Sequence, residues 1–306
     1  MKAERIHQFG GPEQLHLDEI PMPEPGRGEL LVRVHAAGVN PVDWKIREGK
    51  YARPQLPSIL GHDFSGVIAA VGPDVELFRV GEAVFGCTGQ NSGSYAEYAI
   101  APTTQVAEKP TALQHTQAAA LPIAALTAWQ ALFDKADLQS GQRVLIHAAA
   151  GGVGGFAVQF AKWKGAFVLG TASASHRQYV RDLGADEVID YSSTPFEEVA
   201  HDLDIVLDPI GGDTQERSWR VLKPGGILVS LVQDPDQRAA AQRGARAVLL
   251  VCDHTRGDEL TRIGDLVAGG RIKVYIEKVL PLAEASRAHQ LSQSGHMAGK
   301  IVLKVR

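Results

Sequence analysis

The sequence predicts an α/β fold in which a doubly wound parallel-sheet domain is inserted in a β-rich domain. Three observations predict it. A strand, a glycine turn, a helix and a second strand succeed one another between Arg143 and Thr171; the first part is dense in short strands and Gly or Pro turns; and near Thr116 the sequence becomes Ala- and Leu-rich, with strands alternating with helices. The 306 residues suit two units of roughly 150, and 44% hydrophobic with 22% charged residues is ordinary globular usage. The expected division is 1–115 for the first domain, 116–256 for the inserted one and 257–306 for a return to the first.

In the first part, Glu29 to Val34, Phe64 to Val71, Val80 to Phe85 and Tyr95 to Ala99 read as short strands, separated by turns such as Gly10-Gly11-Pro12, Pro25-Gly26 and Gly72-Pro73. They suggest a small barrel or sandwich. In the inserted part, Ile205 to Asp208 is a strand, a helix runs through Gln215 to Leu222 until Pro224-Gly225-Gly226 stops it, and Ile227 to Leu231 is the next strand. A helix through Leu260 to Val267 then leads out. Strand-like Ile272 to Ile276, a helix from Leu282 to Gln293 and a strand Lys300 to Val305 return to the first domain. The polar stretch Gln233 to Arg246 reads as an irregular surface segment, and no repeat or low-complexity tract interrupts the chain.

The run from Arg143 carries the chemistry. Arg143 to His147 is apolar and β-branched, then breaks into Ala149, Ala150, Gly151, Gly152, Val153 and Gly154, which open a helix whose apolar positions Val153, Phe156, Ala157 and Phe160 recur at helical spacing. The turn aims backbone N–H groups and the positive end of the helix dipole at a pyrophosphate. Gly151 lets the backbone approach it and Gly154 lets the helix lie close to the strand. The usual GxGxxG pattern has Ala149 for its first glycine, so context carries the reading: Phe167 to Thr171 follows as a second strand at the right distance. Past that strand, where an NAD-selective site carries an acid for the ribose 2′-hydroxyl, none is present. Ser173, Ser175, His176 and Arg177 stand there, donors suited to a 2′-phosphate that an acid would repel. The reading is NADP(H); the alternative for the same residues is a helix cap at Ser173 and a solvated Arg177.

A net charge of −4 gives no electrostatic reason for a nucleic-acid or anionic-membrane partner. The first residues, MKAERIHQFGG, lack the apolar core of a signal peptide, and no apolar run approaches the roughly 20 residues of a membrane span. A cytoplasmic protein with no nucleic-acid or membrane partner is expected. Cys87 and Cys252 are too far apart in sequence to suggest a disulfide framework or a cysteine zinc site.

Over nearly the whole chain, several segments jointly resemble the zinc-independent quinone oxidoreductase branch of the medium-chain dehydrogenase/reductase superfamily. They are Ala37-Gly38-Val39-Asn40-Pro41-Val42-Asp43, Leu121-Pro122 with Leu126-Thr127-Ala128-Trp129, Ala149 to Gly154, Leu183-Gly184-Ala185-Asp186 through Asp190-Tyr191, and Gly299-Lys300-Ile301-Val302-Leu303. The resemblance implies a Rossmann domain inserted in a GroES-like barrel domain, a tolerated Ala149, NADPH as reductant, a small quinone or enone as substrate, and a homodimer paired through a sheet edge. It also implies cofactor contacts at Asn40 and Thr127, at Tyr191 beside the 2′-phosphate after the strand Glu187 to Ile189, at Gly211 beyond Asp208, and at Leu231 along the nicotinamide.

Zinc-using relatives carry a cysteine where Asn40 stands, a His-Glu pair where His62-Asp63 stands, and four closely spaced cysteines after the position of Gly86. His62 and Asp63 supply at most two of the three protein ligands that a catalytic zinc needs, so no metal is expected. The chemistry then belongs to the cofactor, and the protein holds the acceptor against it and excludes water. The cleft wall implied by the resemblance is Asn40, Asp43, Lys45, Tyr51 and His62. Lys45 would stabilise the oxyanion formed as hydride arrives, or is a snorkelling surface lysine. Tyr51 or solvent would provide the later proton; His62 is a satisfied histidine or a proton donor. Asp43 orients Asn40 or Lys45, or is a helix-start acid after Pro41. Lys300 approaches the cleft or, the favoured reading, is an exposed strand-end lysine. No YxxxK pair occurs, which excludes the short-chain dehydrogenase class. A non-catalytic NADPH-binding protein of the same fold stands as the alternative.

Overall fold

The computed structural model describes residues 1–89 and 92–306. The chain begins with β1 (Lys2–Ile6), β2 (Leu15–Glu19) and the long β3 (Glu29–Val39), followed by α1 (Pro41–Arg47), β4 (Ser58–Ile59), β5 (Asp63–Val71), β6 (Ala83–Cys87), β7 (Tyr98–Pro102), β8 (Val106–Glu108) and α2 (His115–Ala119). Then α3 (Pro122–Trp129) leads through a π-helical turn, Gln130–Lys135, into β9 (Arg143–Ile146), α4 (Gly152–Lys164), β10 (Phe167–Ala172), α5 (Arg177–Asp182), β11 (Glu187–Asp190) and β12 (Leu203–Asp208). The rest is α6 (Gly212–Ser218), β13 (Leu222–Ser230), α7 (Gln237–Gln242), β14 (Arg246–Leu249), α8 (Gly257–Ala268), β15 (Ile276–Pro281), α9 (Ala285–Gln293) and β16 (Lys300–Lys304). Two compact units result. One comprises Met1–Leu126, Asp253–Gly270 and Val274–Arg306; the other comprises Thr127–Cys252 and Arg271–Lys273.

The first unit holds a sheet with the strand order β15-β16-β3-β5-β6-β8, β7 also pairing with β3, and a small sheet β2-β1-β4. Its pairs are antiparallel except for parallel β15 and β16. Leu30, Val32 and Val34 alternate along β3 and meet Phe64, Ile68, Val84 and Val106 in one apolar core. Gly38 in β3 has no room for a side chain, since a Cβ there would lie 2.4 Å from the carbonyl oxygen of Ala119.

The second unit is a six-stranded parallel sheet in the order β11-β10-β9-β12-β13-β14. Strand order reverses between β9 and β12, so their carboxyl ends, at Ile146 and Asp208, mark the switch point where such sheets bind ligands. Leu145, Leu169, Val206 and Leu228 from four neighbouring strands pack with Trp219 and Phe196 below one face.

Several elements differ from the sequence expectation, each for a local reason. The helix expected through Leu222 ends at Ser218, and β13 runs through Pro224-Gly225-Gly226. Pairing shifts register between Leu203 opposite Leu222 and Ile205 opposite Ile227, and Gly225 takes a φ of 82°, so a bulge absorbs residues that read as a stop. The strand expected from Ile272 begins at Ile276. Lys273 is instead gripped by the Gln159 amide in the second unit, its N–H 2.7 Å from Oε1 and its carbonyl 3.1 Å from Nε2. The expected Val80 to Phe85 strand starts at Ala83, beyond the Gly81 turn at φ 94°. The expected Tyr95 to Ala99 strand lies at Tyr98–Pro102. The polar segment after Gln233 contains α7, capped by the Asp236 carboxylate on the N–H groups of Arg238 and Ala239, and buries Ala240. Among the described residues, no helix is long and apolar enough to cross a membrane.

Candidate active site

In the second unit, the turn after β9 is built around Ala148, whose φ is 47°. This is the residue that takes the left-handed conformation, and Thr171 holds it: the Thr171 hydroxyl accepts from the Ala148 N–H at 3.1 Å and its carbonyl from the Ala149 N–H at 2.9 Å. Ala149 therefore needs no positive φ, which explains an alanine where the nucleotide fingerprint has its first glycine. Gly151 caps α4 at φ −74°, with no side chain on the helix end, so the first-turn N–H groups are left for a ligand. Gly154 is required by packing, because a Cβ there would lie 2.2 Å from the Ala148 carbonyl oxygen. Gly151, Gly152 and Val153 are partly exposed, whereas Ala150 and Gly154 are buried.

Parallel pairing of Ala172 with Asp190 brings the ends of β10 and β11 to one edge. Ser173 there lies 3.0 Å from the Ser175 hydroxyl and 3.2 Å from His176 Nδ1. Arg177 is exposed at the start of α5, and Tyr191 is 60% exposed just past β11. The acid at this edge, Asp190, is turned onto Ser192, accepting from its N–H at 3.0 Å and its hydroxyl at 2.7 Å. These bonds, aided by the Arg177 charge, hold its carboxyl below the usual range.

At the end of β12, the buried Asp208 carboxylate accepts from the N–H groups of Ile210 and Gly211 and from Gln215 Nε2, each at 2.9 Å. Gln233 accepts from Gly212 N–H at 3.2 Å, and Leu231 N–H reaches the Asp208 carbonyl at 2.9 Å. Asp208 thus shapes both loops, the one that carries Gly211 through its carboxylate and the one that carries Leu231 through its backbone carbonyl. Asp208 was visible in the sequence only as a strand end; Gln215 and Gln233, which complete the clamp, gave no signal. Thr127 is buried in α3, three residues before the π-helical turn.

In the first unit, the sequence places Asn40 where β3 ends and Pro41 opens α1. Asp43, at the third helical position, accepts from the Asn40 N–H at 2.8 Å, so it is a helix-start acid. It is also fully buried, and its carboxylate accepts from the Tyr95 hydroxyl at 3.0 Å and meets His62 Nδ1 at 2.9 Å. Burial alone would raise its pKa, but the His62 bond and charge, the His289 charge and the Asn40 N–H lower it below the ordinary value. For His62, desolvation lowers the pKa, and the Asp43 bond with the Asp43 and Asp63 charges outweighs it, leaving the imidazole above its ordinary value.

Asn40 faces the other way, toward Asp63 and Lys300. Its Nδ2 donates to Asp63 Oδ2 at 2.8 Å, and its Oδ1 accepts from the Lys300 ammonium, which also donates to the Val39 carbonyl at 3.1 Å. Asp63 Oδ1 accepts from Ile123 N–H at 3.0 Å and lies 3.7 Å from Cys87 Sγ. Lys300 is 4% exposed, which overturns its reading as an exposed strand-end lysine. Desolvation raises the Asp63 pKa against the Lys300 charge, and lowers that of Lys300 against Asp63 and Asp43.

The structure therefore brings Asn40 and His62 into one cluster with Asp43, and leaves Lys45 and Tyr51 outside it. Lys45 is half-buried with its ammonium 5.7 Å from the Trp44 ring centre, and Tyr51 is 57% exposed. Asp43 does not hold Lys45; its partners are Asn40, His62 and Tyr95. Lys300, for which the sequence left an approach to the cleft as the second reading, belongs to the cluster, as do Tyr95, His289 and Asp63, which were not assigned to the site from sequence. Isolated residues from distant elements carry no spacing signal, so only the folded sheet reveals them. Among the described residues, no group of three or more His, Cys, Asp or Glu is placed to hold a metal ion.

Comparison with known proteins agrees with both units. Residues 26–111 match the alcohol dehydrogenase GroES-like domain, and residues 183–303 match a family described as zinc-binding dehydrogenase. The quinone oxidoreductase of Rattus norvegicus is 35% identical over 99% of this chain and 97% of its own length. Among solved structures, the quinone oxidoreductase from Coxiella burnetii superposes with a TM-score of 0.94 at 38% identity, covering 100% of this chain and 99% of that one. The Escherichia coli quinone oxidoreductase complexed with NADPH gives 0.93 at 30% identity, covering 100% of both. With a GroES-like unit, a parallel Rossmann unit and relatives matching end to end, the chain belongs to the medium-chain dehydrogenase/reductase superfamily, in its quinone oxidoreductase branch.

Proposed function

We propose that this chain is a zinc-independent, NADPH-dependent reductase that passes hydride to a quinone or an α,β-unsaturated carbonyl. Its quinone oxidoreductase relatives make it an NAD(P)H-dependent oxidoreductase. The observation that carries the finer reading is the α4 N-terminus, with no side-chain cap, beside a strand end that offers Ser173 and Arg177 and no acid of its own. That donor set fits a pyrophosphate and a 2′-phosphate.

When bound, NADPH supplies the hydride. In this reading Ala150 to Gly154 hold the pyrophosphate, and Ser173, Arg177 and Tyr191 hold the 2′-phosphate. Asn40, Thr127, Gly211 and Leu231 position the remainder. Lys45 stabilises the developing oxyanion, and Tyr51, His62 or solvent provides the last proton.

Zinc does not suit the first unit's cluster. Lys300 already occupies Asn40 Oδ1 and Asp63 is bonded to Asn40 and Ile123, while His62 keeps only Nε2 open. A catalytic zinc needs three protein ligands around an open position, so this arrangement supports metal independence. We further read β14, the outer strand of the parallel sheet and followed by the exposed Val251, as the edge where a second copy pairs to make a homodimer. A cytoplasmic location is part of the same proposal.

The test is oxidation of NADPH and NADH by the purified protein with a panel of quinones and enones, before and after exhaustive chelation. Turnover that prefers NADPH and survives chelation is expected. Loss on chelation with recovery on zinc would overturn metal independence, and binding without turnover would favour the non-catalytic reading.

A further inference from the structure

We propose that Asp43 is the positioning residue for His62: it holds the imidazole proton on Nδ1 and leaves Nε2 as the nitrogen that passes a proton to the reduced substrate. The second half rests on the reductase reading; the first does not.

The argument is one of donors and acceptors, starting from Arg47. Its guanidinium is fully buried and can only donate, and its Nη1 lies 3.1 Å from His289 Nδ1, so that nitrogen accepts. Burial pushes the His289 pKa down to about 4, so the ring is neutral and its proton is on Nε2. His289 Nε2 lies 3.2 Å from the Tyr95 oxygen and therefore donates to it. The Tyr95 hydroxyl then spends its own proton on Asp43 Oδ2 at 3.0 Å, where Asn40 N–H also donates at 2.8 Å. With every other contact a donor, the Asp43 carboxylate is an acceptor throughout. His62 Nδ1, 2.9 Å from Oδ1, must carry the proton of that bond. The Thr88 N–H holds the His62 backbone carbonyl at 2.9 Å, Asp43 holds the ring at Nδ1, and the side chain is still 32% exposed, so the ring is anchored and accessible. A buried aspartate that orients a histidine in this way fixes the tautomer and stabilises the imidazolium.

The charged and titratable groups around His62 are few. Asp43 and Arg47 come from α1, His289 from α9, Asp63 and Cys87 from β5 and β6, Lys300 from β16, and Tyr95 from the segment before β7. In the reaction, hydride addition breaks a π bond of the acceptor and leaves its electron pair on the carbonyl oxygen. The Nε2–H bond of the His62 imidazolium then breaks, its proton joins that oxygen, and the bond pair stays on Nε2, leaving the neutral Nδ1–H imidazole that a proton from solvent recharges. NADPH, one proton and the acceptor become NADP⁺ and the reduced acceptor.

The experiment is nitrogen-15 NMR of histidine-labelled full-length protein from pH 5.5 to 8.5, with His62→Gln for assignment, alongside pH–rate profiles of wild type, Asp43→Asn and His62→Gln. His62 should keep its proton on Nδ1 throughout. Asp43→Asn should lower the His62 pKa and cut turnover by about tenfold to a hundredfold with little change in KM for NADPH. If Asp43→Asn does not fold, the wild-type spectrum and the His62→Gln profile decide. A neutral Nε2–H tautomer in the wild type overturns the proposal. So does an active enzyme whose rate and pH profile are untouched by His62→Gln. A wild type that turns over no acceptor overturns the reductase reading and the proton transfer, while the spectrum still decides Asp43's hold on His62.

Discussion

Lys300 and Asp63 face each other across two strands of the first unit, Nζ 3.8 Å from Oδ2, with both side chains almost wholly out of solvent. The pair ties β16, near the chain end, to β5, and Asn40 bridges it by bonding to both. Taking two charges out of water is costly, and removing one partner leaves the other uncompensated. Lys300→Met should therefore destabilise the protein by about 3–5 kcal/mol in urea unfolding. Lys300→Met combined with Asp63→Asn should recover part of that loss. A single variant as stable as wild type would show that the pair carries no such strain.

Glu4 gives a second stability prediction. It is buried in β1, and burial, with the Asp18 charge beside it, raises its pKa from 4.5 to about 7. The folded pKa lies above the unfolded one, so between those values the folded chain holds a proton that the unfolded chain has lost. This contribution is complete below pH 4.5 and fades as pH rises through 7. The loss is on the order of 3 kcal/mol. Glu4→Gln should flatten the decline of urea midpoints between pH 5 and 8, and equal slopes for the two proteins would refute it.

Lys300, Asp63 and Glu4 show where sequence reading stops. The parallel sheet was legible because its signals are local: an apolar run, a glycine turn and helical spacing within residues 143–171. The β13 bulge and the short strand β15 were misplaced because Pro224, Gly225 and Ile272 carry the same composition in a turn as in a strand bent by its partner. For the site, Asn40 and His62 were found through resemblance. The Lys300–Asn40–Asp63 bridge and the Arg47–His289–Tyr95–Asp43 chain join residues up to 260 positions apart, and only strand pairing and the approach of α1 to α9 bring them together.

The proposed preference for NADPH rests on the edge formed by β10 and β11. Ser173 and the exposed Arg177 offer donors, while Asp190 is committed to Ser192. A guanidinium–phosphate contact at an exposed position is worth roughly tenfold in affinity. Arg177→Ala should weaken NADPH binding by about that factor and leave NADH nearly unchanged. Titration of both cofactors by fluorescence checks it, and equal wild-type affinity for the two would sink the idea.

Lys45 lies on α1 two residues beyond Asp43, half-buried against Trp44 and outside the bonded cluster. An ammonium that is not spent on a carboxylate is available to a developing oxyanion, and such a contact strengthens in the transition state more than in the ground state. Solvent or His62 can still deliver the final proton, so the role proposed for Lys45 is that of an electrostatic aid rather than an obligatory acid. Lys45→Met should then lower turnover with enones by about tenfold to a thousandfold and change NADPH affinity little. Quinones should be affected less, because their reduced oxygens need less help. The comparison is steady-state turnover and cofactor affinity for both proteins across both acceptor classes. Full turnover of the variant with enones would make Lys45 a surface lysine resting on Trp44, with no part in the chemistry.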